Sequence, residues 1–311
     1  MLGSMEFVRG LYNLRAHQRG SVLTIGSFDG LHLGHQALIR RTLSLAARTS
    51  RHSMLLTFEP LPREVIARDV VPARLTNFRE RWRLLEDLGV DALMVLQFNE
   101  RLRRTTGAQF VDFLTRGMQV HAIVIGHDFR FGRDNAMSAG MLEESGRRLG
   151  FGVEIIPPVT HAGVRVSSSG VRAALTANDL GCAAELLGRP YRMRGRVVHG
   201  QKLGKSLGFP TANVRLRRKH CPLAGIFAVR ASGAGPAPLD GVASLGTRPT
   251  VGGGELLLET HIFDFAGELY GRELEIEFVA RLRDELHFAS LDALVVQMRR
   301  DAAEARAILA A

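Results

Sequence analysis

From Ser21 to Pro157, short apolar runs alternate with amphipathic stretches. Val22–Ile25, Met54–Phe58, Ala92–Phe98, Ala122–Ile125 and Val153–Ile156 have the length and β-branched content of buried strands. Helical patterns lie between them. One follows His35, with Leu38, Leu43 and Leu45 among Arg and Thr. A second begins at Asn77, where Glu80 completes a capping box; it runs through Trp82, Leu85 and Leu88 and stops at Gly89. Gln109–Leu114 and Met141–Leu149 supply two more, the latter closed by Gly150. Such alternation predicts an α/β unit, a doubly wound parallel sheet with helices on both faces. Its ligands belong beyond the carboxyl ends of the strands, where the chain order reverses.

After about Glu185 the period changes. In Arg272–Arg281, Glu273, Glu275 and Glu277 face one way and Leu274, Ile276 and Phe278 the other, the mark of a strand with one wet face. Similar runs occupy Arg194–His199, Ile226–Ala231, Gly241–Leu245 and Leu256–Phe263. A last helix starts at Ser290, with Leu291, Leu294, Val295, Met298, Ala302, Ala305 and Ile308 on one stripe. The second unit is therefore a small β-barrel or sandwich plus one helix. The joint falls near Gly181–Pro190, giving domains over 1–185 and 186–311. No internal repeat is visible.

Composition narrows the function classes. With 46% hydrophobic and 23% charged residues over 311 positions, the chain buries a core and is neither a disordered tail nor a fibre. No apolar run approaches the roughly 20 residues that span a bilayer. The first fifteen residues hold no uncharged apolar core of signal-peptide length. Cys182 and Cys221 have no metal spacing and read as free thiols in a reducing, cytoplasmic setting. The net charge is +10, but 38 of the 41 cations are Arg, and the parts up to and after Glu185 each carry +5. An even spread is not the clustered footprint of a nucleic-acid binder. Neither a nucleic acid nor a membrane is expected as a partner.

Four clusters carry candidate chemistry. Gly26-Ser27-Phe28-Asp29-Gly30-Leu31-His32-Leu33-Gly34-His35 follows the first of these strands directly. Its glycines permit sharp turns and close approach of a ligand, and the following helix N-terminus is a phosphate site. His32 and His35 can donate to phosphoryl oxygens as charge builds there. The other reading is a tight turn with two satisfied histidines; zinc is disfavoured because no third ligand lies nearby. In Val166-Ser167-Ser168-Ser169-Gly170-Val171-Arg172, Ser168 suits a helix cap and Arg172 a phosphate clamp, unless the arginine is simply solvated. Gly126-His127-Asp128-Phe129-Arg130-Phe131-Gly132 offers rings for stacking, or core plugs. The fourth cluster is the basic glycine loop with Gly200, Lys202, Lys205 and Gly208, leading into Pro210-Thr211-Ala212-Asn213. In an extended segment Thr211 and Asn213 share a face and can hold Mg²⁺ that arrives with a nucleotide. Glu259, mid-strand and opposite Leu258 and Ile262, is a candidate general base or a glutamate on a wet face.

Strand, Asp-Gly, HxGH and helix in that order resemble the HxGH nucleotidyltransferases. The full order of motifs, including Gly246-Thr247-Arg248-Pro249-Thr250, resembles the bifunctional prokaryotic riboflavin kinase/FAD synthetase family along nearly the whole chain. The resemblance implies an α/β nucleotidyltransferase domain followed by an antiparallel Greek-key β-barrel with a C-terminal helix. It implies phosphorylation of riboflavin to FMN by the second domain and adenylylation of FMN to FAD by the first, with ATP as co-substrate and Mg²⁺ as cofactor. Thr211 and Asn213 then match the Mg²⁺–ATP ligands, Glu259 the base, and His32 and His35 the adenylyl-transfer histidines. Gly26, Ser27, Phe28, Asp29, Gly34, Ser168 and Arg172 join the phosphate contacts of the first site; Gly200, Lys202, Lys205 and Gly208 those of the second. Asp128, Phe129 and Arg130 match the flavin segment. Transient oligomers or flavoprotein clients are further partners compatible with the family. Ser27, Leu61, Phe227 and the stretch Arg133–Ser138 depart from the usual pattern. A kinase with a weak or inactive adenylyltransferase domain and a non-catalytic flavin-binding protein are the alternatives.

Overall fold

A computed structural model describes residues 5–67, 71–200, 204, 207–218, 220–248 and 255–311. The chain forms two compact units, one of Met1–Pro72 with Arg81–Ser167 and one of Ala73–Glu80 with Ser168–Ala311.

The first unit holds strands β1 (Glu6–Arg9), β2 (Val22–Ile25), β3 (Ser53–Phe58), β4 (Ala92–Leu96) and β5 (Ala122–Gly126). A two-residue hairpin follows, β6 (Arg130–Phe131) with β7 (Met137–Ser138), and then β8 (Gly152–Ile156). Six of these form one sheet in the order β1-β4-β3-β2-β5-β8, every pair parallel. β2 alternates across it: Leu23 and Ile25 enter the cluster of Phe110, Leu114 and Phe131, and Val22 enters that of Ala46 and Val124. Both faces are covered, which is why the strand is apolar without a break. From β2 the chain adds β3 and β4 on one side and β5 and β8 on the other, so the order reverses between β2 and β5. β1, at the edge, had no place among the strands read from sequence, and β4 ends two residues before the expected Phe98.

Within the second unit, after the small pair β9 (Thr160–His161) and β10 (Val164–Arg165) of the first, come helices Ser168–Thr176 and Leu180–Leu187. They precede β11 (Arg192–Val198), β12 (Ala212–Arg215), β13 (Gly225–Ser232), β14 (Leu239–Arg248), β15 (Glu255–Ile262) and β16 (Glu273–Arg283). These close into an antiparallel barrel, β11-β12-β15-β14-β13-β16. Consecutive hairpins join β13, β14 and β15 while β16 returns beside β13, a Greek key. On β16, Leu274, Ile276 and Phe278 are buried, and the alternate glutamates pair outside with Arg192 and Arg194 of β11. Helix Leu291–Ala310, capped by Ser290, packs Ala305 and Leu309 with Ala302 and Ile308 onto Ala228 and Phe263. The stripe expected for this helix fails at its start: Leu291 is 56% exposed, because only the later turns lie on the barrel.

The capping box at Asn77 forms as expected. Asn77 N donates to Glu80 Oε2 at 2.7 Å, and Glu80 N to Asn77 Oδ1 at 3.0 Å. The same carboxylate accepts from Arg194 N at 2.7 Å and from Arg218 Nη2. Arg218 is buried and also donates to the Tyr191 hydroxyl at 3.1 Å, which itself donates to Leu75 O at 3.0 Å. Burial opposes the charge on Arg218, but Glu80 and Tyr191 outweigh it and raise its pKa. Burial likewise pushes the Tyr191 hydroxyl up, and Cys221 nearby to about 11. The helix Phe78–Asp87 therefore starts in one unit and, from Arg81, continues in the other.

Glu80→Ala leaves the Arg218 guanidinium buried without its carboxylate and should cost about 3–5 kcal/mol. Arg192→Ala, on the half-exposed outer ladder, should cost less than about 1 kcal/mol. Urea unfolding of the two variants checks the ranking.

Candidate active sites

β2 delivers the chain to Gly26 at the point where the strand order reverses. A Cβ on Gly26 would lie 3.1 Å from the Phe28 ring, so the bare backbone lets the loop fold against that ring. Phe28 and Leu31 are buried with φ of 49° and 43°, a region that non-glycine residues enter at a cost near 1 kcal/mol. His32 caps helix Leu33–Arg48, its Nδ1 accepting from His35 N at 3.3 Å. The helix thus begins three residues ahead of the expected position, with His32 as its cap and His35 in its first turn. Their rings stack with centroids 3.7 Å apart and 17° between planes. A Cβ on Gly34 would sit 3.1 Å from the His32 ring, which is the steric reason for glycine there.

His35 Nδ1 is sealed from solvent and has no hydrogen-bond partner among the described residues. Burial, then the charges of His32 and Arg81, hold the imidazole well below its ordinary pKa of 6.5, so it is neutral at pH 7. Under the loop lies Arg81, wholly buried, with Nη1 donating to Ser27 O and Nη2 to Glu59 Oε2, each at 2.8 Å. Arg81 escaped the sequence reading, although its spacing from Phe78 and Leu85 puts it on the buried stripe of its helix. Asp29 is also buried.

β5 ends beside this loop. Phe129 N donates to Gly126 O at 3.0 Å, and Asp128 pairs with Arg165. Burial raises the Asp128 pKa, but Arg165 outweighs it and the carboxyl stays below its ordinary value. Phe131 is a core plug, 5.3 Å from Phe110. Phe129 is half-buried against it at 5.5 Å, and Arg130 is exposed.

Ser168 and Arg172 lie on helix Ser168–Thr176 of the second unit. Arg172 Nε donates to Ala73 O at 2.6 Å, a bond with no signal in the sequence.

In the barrel, Asn213 of β12 stands opposite Glu259 of β15, and Glu259 opposite Ser244 of β14. Thr211, Asn213, Ser244 and Glu259 line one cavity of about 400 Å³. A Cβ on Gly200 would come within 2.3 Å of Asn213 Nδ2, and one on Gly204 within 3.3 Å of Thr211 Oγ1. The glycines of the basic loop therefore lie directly on the two expected ligand side chains. Gly208, at φ +83°, makes the turn back towards β12. Lys202 and Lys205 lie outside the described residues, as do Pro249 and Thr250. His261 Nδ1 donates to Pro210 O at 2.9 Å, which ties the segment before Thr211 to β15. The same cavity is lined by Arg283, Glu285 and Asp301, none of which the sequence reading singled out, and by Leu294 and Met298 of the expected apolar stripe. Asp301 had a signal, an acidic residue three positions after Met298 on an otherwise apolar stripe.

Oxygen ligands, a carboxylate and a bare-backbone cradle in one cavity suit phosphoryl transfer from a metal–nucleotide. Stacked histidines at a helix N-terminus suit charge stabilisation on a phosphate. The FAD synthetase family matches residues 14–170, and the riboflavin kinase family residues 187–309. The bifunctional riboflavin kinase/FMN adenylyltransferase of Escherichia coli K12 is 43% identical over 304 residues, 97% of either chain. That of Pseudomonas fluorescens is 46% identical over 308 residues, 98% of either chain. A crystal structure of a protein described as a macrolide-efflux protein, from Streptococcus pneumoniae, shares the fold with a TM-score of 0.82 and 30% identity, over 96% of this chain and 97% of that one. With both family segments matched in order and relatives aligned end to end, the chain belongs to the family of bifunctional riboflavin kinase/FMN adenylyltransferases.

Proposed function

We propose that the chain phosphorylates riboflavin to FMN and then adenylylates FMN to FAD, each with one ATP. Residues 186–311 carry the first step and residues 1–185 the second. The observation that carries the kinase half is the meeting of Thr211, Asn213 and Glu259 on one cavity. The Glu259 carboxylate accepts the proton of the riboflavin 5′-hydroxyl as its oxygen attacks the γ-phosphorus, and ADP leaves. Thr211 and Asn213 are neutral oxygen ligands backed by Gly200 and Gly204, a donor set that fits Mg²⁺ brought in with the nucleotide. Bound there, Mg²⁺ supplies charge neutralisation on the phosphates. Lys202, Lys205 and Gly208 add the phosphate contacts of the loop.

In the second step an FMN phosphate oxygen attacks the α-phosphorus of ATP and pyrophosphate leaves. His32 and His35 stabilise the charge that builds on the α-phosphoryl oxygens, and Gly26, Ser27, Phe28, Asp29 and Gly34 shape the phosphate cradle. Ser168 and Arg172 serve the triphosphate, and Asp128, Phe129 and Arg130 the flavin. A kinase with a weak adenylyltransferase half is the second reading. It is favoured by Arg172, whose Nε is engaged by Ala73 O, and by the altered stretch Arg133–Ser138. The substrates are the small molecules riboflavin, FMN and ATP, met in the cytoplasm. Among the described residues no helix is long and apolar enough to cross a membrane.

Incubation with riboflavin, Mg²⁺ and ATP should yield both FMN and FAD on chromatography; FMN alone would leave the kinase reading. Glu259→Gln should lower FMN formation by about 100-fold or more while FMN still becomes FAD, and His32→Ala should do the reverse.

A pH prediction follows from His35. Its pKa in the fold lies well below the unfolded 6.5, so below pH 6.5 the unfolded chain takes a proton that the fold refuses. Stability should therefore fall on acidification through 6.5, and thermal unfolding of His35→Asn should show a smaller loss over the same range.

A further inference from the structure

The cavity that holds Glu259 has a wall made by two stretches outside the barrel. One is the segment after β16, with Glu285, Leu286 and Phe288; the other is the first half of helix Leu291–Ala310, with Leu294 and Met298. Part of this wall is open to solvent. Leu286 is 53% exposed, and Val296 on the same half-helix is 49% exposed. The second half of the helix is anchored differently, through Ala302, Ala305, Ile308 and Leu309 on the barrel.

An ion pair within the cavity lining ties the anchored half of the helix to the segment after β16. Arg283, the last residue of β16, gives Nε to Asp301 Oδ1 at 2.9 Å and Nη2 to Asp301 Oδ2 at 2.7 Å. Asp301 is 4% exposed and takes a further bond from Gln297 Nε2 at 2.9 Å. The remaining arm of Arg283, Nη1, donates to Asp284 O at 2.7 Å, and its guanidinium lies 5.9 Å from the Phe288 ring centroid. One guanidinium thus holds the helix through Asp301 and the outgoing segment through its backbone and an aromatic ring. A planar fork with a bidentate carboxylate fixes orientation as well as distance.

We infer that Arg283 and Asp301, with Gln297, are positioning residues that set the wall of the kinase cavity and so the affinity for the flat, largely apolar acceptor, without acting in phosphoryl transfer. The wall is apolar at Leu286, Phe288, Leu294 and Met298, whereas Thr211 just before β12, Asn213 on β12 and Glu259 on β15 line the same cavity from the barrel. Loosening the pair displaces the acceptor's apolar contacts and leaves Thr211, Asn213 and Glu259 on the barrel. The inference rests on the assignment of this cavity to the kinase step.

The test uses the full chain and compares Asp301→Asn, Arg283→Lys and Gln297→Met. The KM for riboflavin should rise about tenfold in the first two and less in the third, with kcat and the KM for ATP within about twofold. Riboflavin binding followed by quenching of flavin fluorescence should weaken in parallel. Leu309→Ala, at the anchored end, should lower the melting temperature without raising the riboflavin KM, which separates positioning from mere stability. Unchanged riboflavin KM in all three variants overturns the inference, as does a loss of kcat equal to the rise in KM. If Asp301→Asn fails to fold, Arg283→Lys and Gln297→Met decide by the same criteria. Glu259→Gln is the control on the assignment: if it leaves FMN formation intact, the cavity reading itself fails, whereas its loss alongside unchanged riboflavin KM in the three variants sinks this inference alone.

Discussion

A guanidinium cannot shed its proton inside a protein, so the burial of Arg218 obliges the fold to bring it a carboxylate. Glu80 answers that obligation from a segment far away in sequence, and the same carboxylate closes the cap of its own helix and accepts from the backbone of β11. Tyr191 and Leu75 complete the set, so that Ala73–Glu80 belongs to the second unit although the chain on either side of it belongs to the first. Such a pair gives little net stability over an apolar replacement, but breaking it is costly, and it specifies one arrangement of three segments. The outer ladder of Arg192 and Arg194 with Glu275 and Glu277 contains more charges in better view of water and contributes far less per pair.

Both candidate sites place a glycine where a side chain lies against the backbone. Gly34 admits the His32 ring, Gly200 the Asn213 amide, and Gly246 the Glu285 carboxylate, which a Cβ would approach within 2.1 Å. The candidate groups are held by the scaffold, not by loops alone. Asn213 and Glu259 face each other across a barrel ladder, and the two histidines sit at the cap and in the first turn of a helix whose strand-side loop is clamped by Arg81. Charge then follows position: burial first, then His32 and Arg81 beside it, holds the His35 imidazole well below its ordinary pKa.

Much of this was legible beforehand. Unbroken apolar runs separated by helical periods mark a parallel sheet covered on both faces, and the alternation of Glu273–Phe278 marks a half-wet strand, because side-chain direction depends on a period that local sequence records. The Asn77–Glu80 box and the Ser290 cap were readable because they satisfy backbone groups three residues away. Readings that depended on more distant partners fared less well. Leu291 continues the apolar stripe of its helix yet faces water, since the barrel surface ends before it. Phe129 and Phe131 share a spacing but not a role: one is core and the other lies at its edge.

By itself the sequence determined the order of elements, the change from parallel to antiparallel architecture, the glycine-rich turns and the residue types available for phosphate chemistry. It did so because propensity, period and capping are local. Tertiary structure alone decided that Thr211, Asn213 and Glu259 share a cavity, that Arg81 lies beneath Ser27, that Arg172 turns to Ala73, and that Arg283 meets Asp301. Each of these pairings depends on strand register or burial, and neither is encoded by the spacing of the two residues along the chain.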